Sequence, residues 1–256
     1  MKDQAYNRLD GIRRSDLWKI RQTPLHFKYA MENPEEPTPA LLFGQAAHKY
    51  VLEPETFFDE YAVMPANIDR RTKTGREAFT HFMQLAGDRT IITETDLQTV
   101  MAMRKALLLN PDAREIINGE IRTEEAFTWT DPGTGEACKV KADILTEMNG
   151  QPLIVDYKTT TSCADFDFER SARRYGYDFQ AGMYTEGIDL CTMERHEFVF
   201  IAQEKTPPYA ARVYYCDPSF IERGIRIFHD LLETYHECKQ TNEWPGYENL
   251  DLYGEE

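Results

Sequence analysis

The sequence has little to offer a membrane or a secretory route. It contains no run of about 18 apolar residues, and its opening stretch, MKDQAYNRLDGIRRSD, lacks the apolar middle of a secretory signal. The expectation is a soluble, cytoplasmic protein with no membrane partner. Cysteine is scarce as well: Cys138, Cys163, Cys191, Cys216 and Cys238 are an odd number, widely spaced, with no C-x-x-C pair. That argues against a disulfide framework, a zinc knuckle and an iron–sulfur cluster, and leaves each as a small buried hydrophobe. No repeat, low-complexity tract or Gly/Ser linker divides the chain. A single domain is expected, and 256 residues, 41% of them hydrophobic, are enough to bury a core.

Positive charge is also in short supply, since the formal net charge is −15. A total of that sign speaks against a polyanionic partner, but its distribution is uneven. Residues 1–28 carry seven cations against three acids, and DRRTKTGR, residues 69–76, carries four cations against one. Acid accumulates in the tail YENLDLYGEE. A basic patch on an acidic body is compatible with nucleic acid, and a solvated helix face accounts for it equally well.

Residues 1–118 read as a mainly helical part. SDLWKIRQTPLHFKYAM opens with Ser15 as an N-cap, and a helix is expected from about 39 to 52, closed by Pro54. TKTGREAFTHFMQLAGD and TETDLQTVMAMRKALLLNP give two more amphipathic helices, the second opened by Thr93 or Thr95 and closed by Pro111. From about 119 to 240 the period changes. TEEAFTWTDPGTGEACKVKADILTEMNGQPLIVDYKTTT alternates apolar and polar residues around two turns, predicting three strands of an antiparallel meander. Two helical segments, two further strands and a long helix starting at Pro218 follow, before an acidic tail at about 241–256. The fold class is α/β (α+β), a central mixed sheet flanked by helices.

Asp143 and Asp156 lie on adjacent strands of that meander, and Lys158 shares a strand face with Asp156. Two nearby carboxylates repel unless a cation sits between them, and hard divalent ions choose carboxylate and carbonyl oxygens. Lys158 is no metal ligand; it suits a water or a phosphate oxygen. A hairpin with surface acids and a solvated lysine is the alternative on spacing alone.

KADILTEMNGQPLIVDYKTT, preceded by FGQAAHKYVLEPETFFDEYAV and followed by YGYDFQAGMY, resembles the PD-(D/E)XK nuclease superfamily. Within it the chain is most similar to the exonuclease VIII type and its phage relatives, kin of the RecB-type nucleases. The resemblance spans roughly residues 12–235. It implies that Asp143, Asp156, the Tyr157 backbone carbonyl and the helical His48, with Gly44 one turn earlier, hold Mg²⁺, with Mn²⁺ able to substitute. It makes Lys158 the group beside the attacking water and Gln180 a partner of a phosphate or a catalytic carboxylate, with Tyr184 on the same helix face. A further acid is expected from Glu124 or Glu125, of which only one can face the site, with Glu124 the better match. Ala142 stands where the superfamily's name has proline. Arg70, Arg71, Lys73 and Arg76, with Arg173 and Arg174, are candidates to hold a phosphate backbone, as is GIRRSDLWKIR.

The implied activity is Mg²⁺-dependent 5′ to 3′ exonuclease action on double-stranded DNA ends, leaving 3′ single strands for recombination or repair. The implied partners are a second set of copies in a ring, commonly a tetramer, and a single-strand annealing protein, as in a phage recombination cassette. A CRISPR-associated or RecB-type nuclease, a catalytically silent DNA-binding scaffold and a small-molecule metal hydrolase are the alternatives.

Overall fold

The computed structural model describes residues 3–248. The chain runs α1 (Asp3–Arg8), β1 (Ile12–Arg13), α2 (Arg14–Ile20), α3 (Pro24–Glu32), α4 (Pro39–Leu52), α5 (Phe57–Glu60), β2 (Tyr61–Met64), α6 (Lys73–Ala86), β3 (Thr90–Thr93), α7 (Glu94–Leu107) and α8 (Pro111–Asn118). It continues through β4 (Arg122–Thr130), β5 (Ala137–Met148), β6 (Gln151–Thr160), α9 (Asp165–Tyr175), α10 (Tyr177–Thr192), β7 (Glu197–Glu204), β8 (Ala211–Tyr215) and α11 (Pro218–Thr241). Of the acidic tail expected at 241–256, residues 249–256 lie outside the described residues.

Local chemistry explains most helix starts. The side chains of Thr23, Thr38, Thr72 and Asp217 each accept from a backbone N–H in the first turn of α3, α4, α6 and α11. Thr93 and Asp96 form a reciprocal capping box on α7. Ser15 does not cap: α2 begins at Arg14 and its N-cap is Arg13, whose side chain makes no capping bond. The reason is that Ile12 and Arg13 pair with Cys138 and Lys139, so the chain passes from strand to helix with no intervening turn. Pro111 opens α8, occupying its first turn where a missing N–H costs nothing. The part expected to be helical also holds β1, β2 and β3, the last two forming a small parallel sheet.

In the main sheet, β4, β5 and β6 form the antiparallel meander, β7 joins β6 in parallel, and β8 closes the far edge antiparallel to β7. The parallel step is made through α9 and α10, as a parallel pair requires. Helices cover both faces. Ile154, Phe198 and Phe200 pack with Phe179 and Phe228 of α10 and α11, whereas Leu153, Val155, Tyr157, Val199 and Ile201 pack with Val51 and Leu107 of α4 and α7.

The ladder between β5 and β6 ends at Ile144 opposite Val155. Beyond it, the edge of β5 that β6 has left is taken by β1, so the two strands form a fork. The side-chain alternation of β5 slips at the same place. Val140 and Ala142 face the α10 side and so does Leu145, while Ile144 faces the α4 side. Asp143 sits at this slip, in the mouth of the fork.

Helices α10 and α11 approach so closely that a Cβ on Gly224 would lie 1.8 Å from the Asp178 carbonyl oxygen, and one on Gly182 would lie 2.2 Å from the Ile225 nitrogen. Backbone cannot yield as a flexible side chain does. Gly224→Ala is therefore expected to destabilise the fold by about 3 kcal/mol or more, the upper range for overpacking. Urea denaturation checks this; an unchanged midpoint would show that the helices separate freely.

Candidate active site

A crevice of about 890 Å³ opens at the fork, walled by α2, α4, β4, β5, β6 and α10. Its walls carry Arg14, His48, Glu124, Asp143, Lys158 and Gln180. His48 reaches in from the middle of α4, with Gly44 one turn earlier facing β6: a Cβ there would sit 3.7 Å from Thr159 Oγ1. Alanine fits at that distance, and larger side chains would crowd the passage between helix and strand.

The imidazole is held between two carboxylates. His48 Nε2 lies 2.8 Å from Asp143 Oδ2, and His48 Nδ1 lies 3.3 Å from Glu124 Oε1. Acids at both nitrogens favour the charged imidazole, and a metal ion binding at His48 would displace one of its protons. Burial opposes that charge, but Asp143, and less strongly Glu124 and Asp156, raise His48 to about 9. Burial likewise presses Asp143 upward, and His48 and Lys158 overcome it, leaving Asp143 below the usual carboxylate range. Asp143 Oδ2 also accepts from the Tyr157 N–H at 2.9 Å. Because the N–H and C=O of one strand residue share an edge, the Tyr157 carbonyl is directed into the fork as well. Its ring points to the opposite face, where the hydroxyl donates to Gln203 Oε1 at 2.6 Å.

Asp156 occupies the other side of the site. It is buried in the sheet, with only 3% of its surface accessible, and is not one of the surface acids of a solvated hairpin. Its Oδ1 accepts from Gln180 Nε2 at 2.5 Å. Lys158 Nζ lies 2.7 Å from Oδ2, so that buried oxygen faces a cation. Burial is the main force on this carboxyl; Lys158 pulls it down, Asp143 pushes it up, and it stands at about 6. Lys158 is further held over the Tyr177 ring at 5.3 Å.

Of the adjacent pair Glu124 and Glu125, Glu124 faces His48, while Glu125 pairs with Arg122 at 3.0 Å. Glu124 achieves this from a left-handed backbone, φ 53°, in the middle of a strand. A non-glycine residue in that conformation stores of order 1–3 kcal/mol, and such strain concentrates at functional sites. Lys141 makes an ion pair with Glu124 from the neighbouring strand.

Lys141 is a crevice residue that pattern reading did not single out, and Arg14 is the member of the GIRRSDLWKIR segment that the fold brings deepest into the wall. Arg14 Nη2 donates to the Tyr175 and Gly176 carbonyls, its guanidinium lies 5.4 Å and 5.5 Å from the Trp18 and Phe179 ring centres, and its buried Nε has no partner. The signal was present in GIRRSDLW, where Arg14 and Trp18 are one helical turn apart. Tyr184 shares the wall with Gln180 and stands edge-on to Phe198. Arg70, Arg71, Lys73 and Arg76 do not line the crevice; Arg71 pairs with Asp69, and Arg70 covers Phe79. Arg173 and Arg174 project from exposed faces of α9, near Glu169 and over Tyr175.

The donor set fits a divalent cation. One ligand atom from each of His48, Glu124 and Asp143 lies within 4.8 Å of the others, and the buried Asp156 carboxylate, paired with Lys158, adds negative charge beside them.

A family described as a PDDEXK-like domain of unknown function, DUF3799, matches residues 14–255. The chain belongs to this family. Among solved structures, one from Eubacterium rectale described as a "putative exonuclease" superposes with a TM-score of 0.65 at 14% identity, covering 98% of this chain and 91% of that one. That likeness is one of fold, and it extends over nearly the whole chain. The structure of SSO0001 covers 74% of this chain and 84% of its own at 15% identity, with a TM-score of 0.32. No curated protein matches the sequence.

Proposed function

We propose that the protein is a metal-dependent nuclease, a Mg²⁺-dependent exonuclease that degrades one strand of double-stranded DNA from its 5′ ends. The observation that carries this reading is the convergence at one fork of His48, Glu124, Asp143 and Asp156 with Lys158 beside them. A Mg²⁺ held by these four side chains and the Tyr157 carbonyl supplies a Lewis acid for the phosphate and lowers the pKa of a water. Lys158 aligns the attacking water and donates to a non-bridging phosphate oxygen as charge develops there. Gln180 fixes the orientation of Asp156, and the stacked Arg14 offers a permanent cation to the nucleic-acid backbone. The 3′ single strand left behind suits strand-annealing recombination, and a ring of copies around the duplex would keep the enzyme on its substrate.

The test is a time course on linear duplex labelled separately at each end, with Mg²⁺ or EDTA, beside covalently closed circles. Metal-dependent early loss of the 5′ label with circles spared supports the full reading. Early loss of the 3′ label reverses the polarity, and binding without cleavage under Mg²⁺ and Mn²⁺ makes the protein a scaffold.

His48→Gln is expected to raise the Mg²⁺ concentration for half-maximal activity by about 10–100-fold, the usual cost of disturbing a metal's ligand sphere. A titration of rate against Mg²⁺ checks it. Unchanged metal dependence would leave His48 a structural partner of Asp143.

A further inference from the structure

A second cluster lies at the β4–β5 turn. Asp131 follows β4, Glu186 is on α10 and His229 is on α11, and one ligand atom from each lies within 4.8 Å of the others. The two oxygens of Asp131 are in unlike situations. Oδ2 accepts from Gly133 N at 3.1 Å, Thr134 N at 2.7 Å and Thr134 Oγ1 at 2.8 Å, which explains the tight turn. Oδ1 is buried, on a residue only 1% exposed, and has no hydrogen-bond donor. His229 Nδ1 is 3.9 Å away from it, beyond hydrogen-bond reach. His229 Nε2 meets the Glu186 carboxylate at 3.0 Å. A buried carboxylate oxygen without a donor is costly, and an ion is one of the few things that accounts for it.

We infer that Asp131, Glu186 and His229 form a site for a divalent transition metal of the zinc type, separate from the crevice. One imidazole and two carboxylates alone suit zinc, which takes nitrogen and oxygen ligands tetrahedrally, whereas the crevice adds a third carboxylate and a backbone carbonyl, the oxygen-rich set that Mg²⁺ prefers. Bond lengths near 2.0–2.1 Å in a tetrahedron put ligand atoms about 3.3 Å apart, close to the His229–Glu186 spacing. The half-exposed His229 has room to turn one nitrogen toward both acids, and solvent supplies the fourth ligand. The three residues come from the β4–β5 turn, α10 and α11, so the ion staples the closing helix to the sheet. It also fixes α10 six residues beyond Gln180, which makes its role structural.

The test uses the untagged 256-residue chain carrying His48→Gln and Asp143→Asn, which removes two of the four crevice side-chain ligands, stripped with EDTA and dialysed. Calorimetric titration with ZnCl₂ is expected to give one site per chain and a raised melting temperature, with MgCl₂ giving neither. Adding His229→Gln, a half-exposed position, is expected to weaken zinc binding by about 100-fold, and Asp131→Asn by a similar factor. Retention of the wild-type zinc affinity in the His229→Gln protein, or no zinc bound before that change, overturns the site and leaves a hydrogen-bonded charge cluster only. Because zinc uptake is read as the change that His229→Gln or Asp131→Asn makes within one background, the result is independent of whether the crevice cleaves DNA.

Discussion

Asp156→Asn should abolish cleavage and at the same time raise the melting temperature of EDTA-treated protein above pH 6. The carboxyl is buried and stands at about 6, chiefly through burial, with Lys158 lowering it and Asp143 raising it. A folded-state pKa above the unfolded value of about 3.9 means that the ionised form opposes folding. The cost is absent below about pH 4, grows between pH 4 and 6, and is complete above that. Two carboxylates at one site share this behaviour, and one of them must be raised. The cost is of order 1–3 kcal/mol at neutral pH, equivalent to a few degrees of melting temperature for a chain of this size. Asparagine keeps the shape and offers Gln180 a carbonyl in place of Oδ1. It cannot supply the charge that holds a cation, so activity should fall by a factor of about 10³ or more. The gain should vanish at pH 4. Saturating Mg²⁺ should favour the parent, which gains stability from binding. A melting temperature that falls at pH 8 in EDTA would make Asp156 a structural residue.

Much of this arrangement is written in local patterns, and the parts that are not have identifiable reasons. The meander was legible because DPGTG and MNGQ supply turn chemistry between alternating segments, and α4 because Thr38, Pro39 and Pro54 bracket it. The slip at Asp143 was not legible. Ile144 and Leu145 are both apolar, so either can be read as facing either layer, and only packing assigns them. Glu124 and Glu125 are indistinguishable as neighbours in sequence; the left-handed backbone at Glu124 decides between them. The strand formed by Ile12 and Arg13 is too short to show a period, yet it starts α2 at Arg14 and so sets that cation in the crevice wall. Basic residues at 70–76 and 173–174 formed the clearer charge clusters, but clustering along the chain says nothing about which cations the fold brings to one wall. Asp131, Glu186 and His229 come together only because α10 and α11 pack against the β4–β5 turn.

Lys158→Ala should lower the rate of cleavage by about 10²–10⁴-fold, the range for losing a positioned group that acts on developing charge, while leaving the fold intact. The ammonium is held between Asp156 at 2.7 Å and the Tyr177 ring at 5.3 Å, and neither contact joins elements that would otherwise separate. Its removal takes away the strongest influence holding the Asp156 carboxyl down, so that group should rise further above 6. The acid limb of the residual pH–rate profile should therefore move to higher pH, a shift that loss of a merely structural lysine would not produce. Lys158→Arg should not restore the rate. A planar guanidinium cannot place a single donor where the compact ammonium sits between carboxylate and ring, although it preserves the charge. Full activity in the arginine variant would reduce the role of Lys158 to its charge alone, and full activity in the alanine variant would remove it from the chemistry.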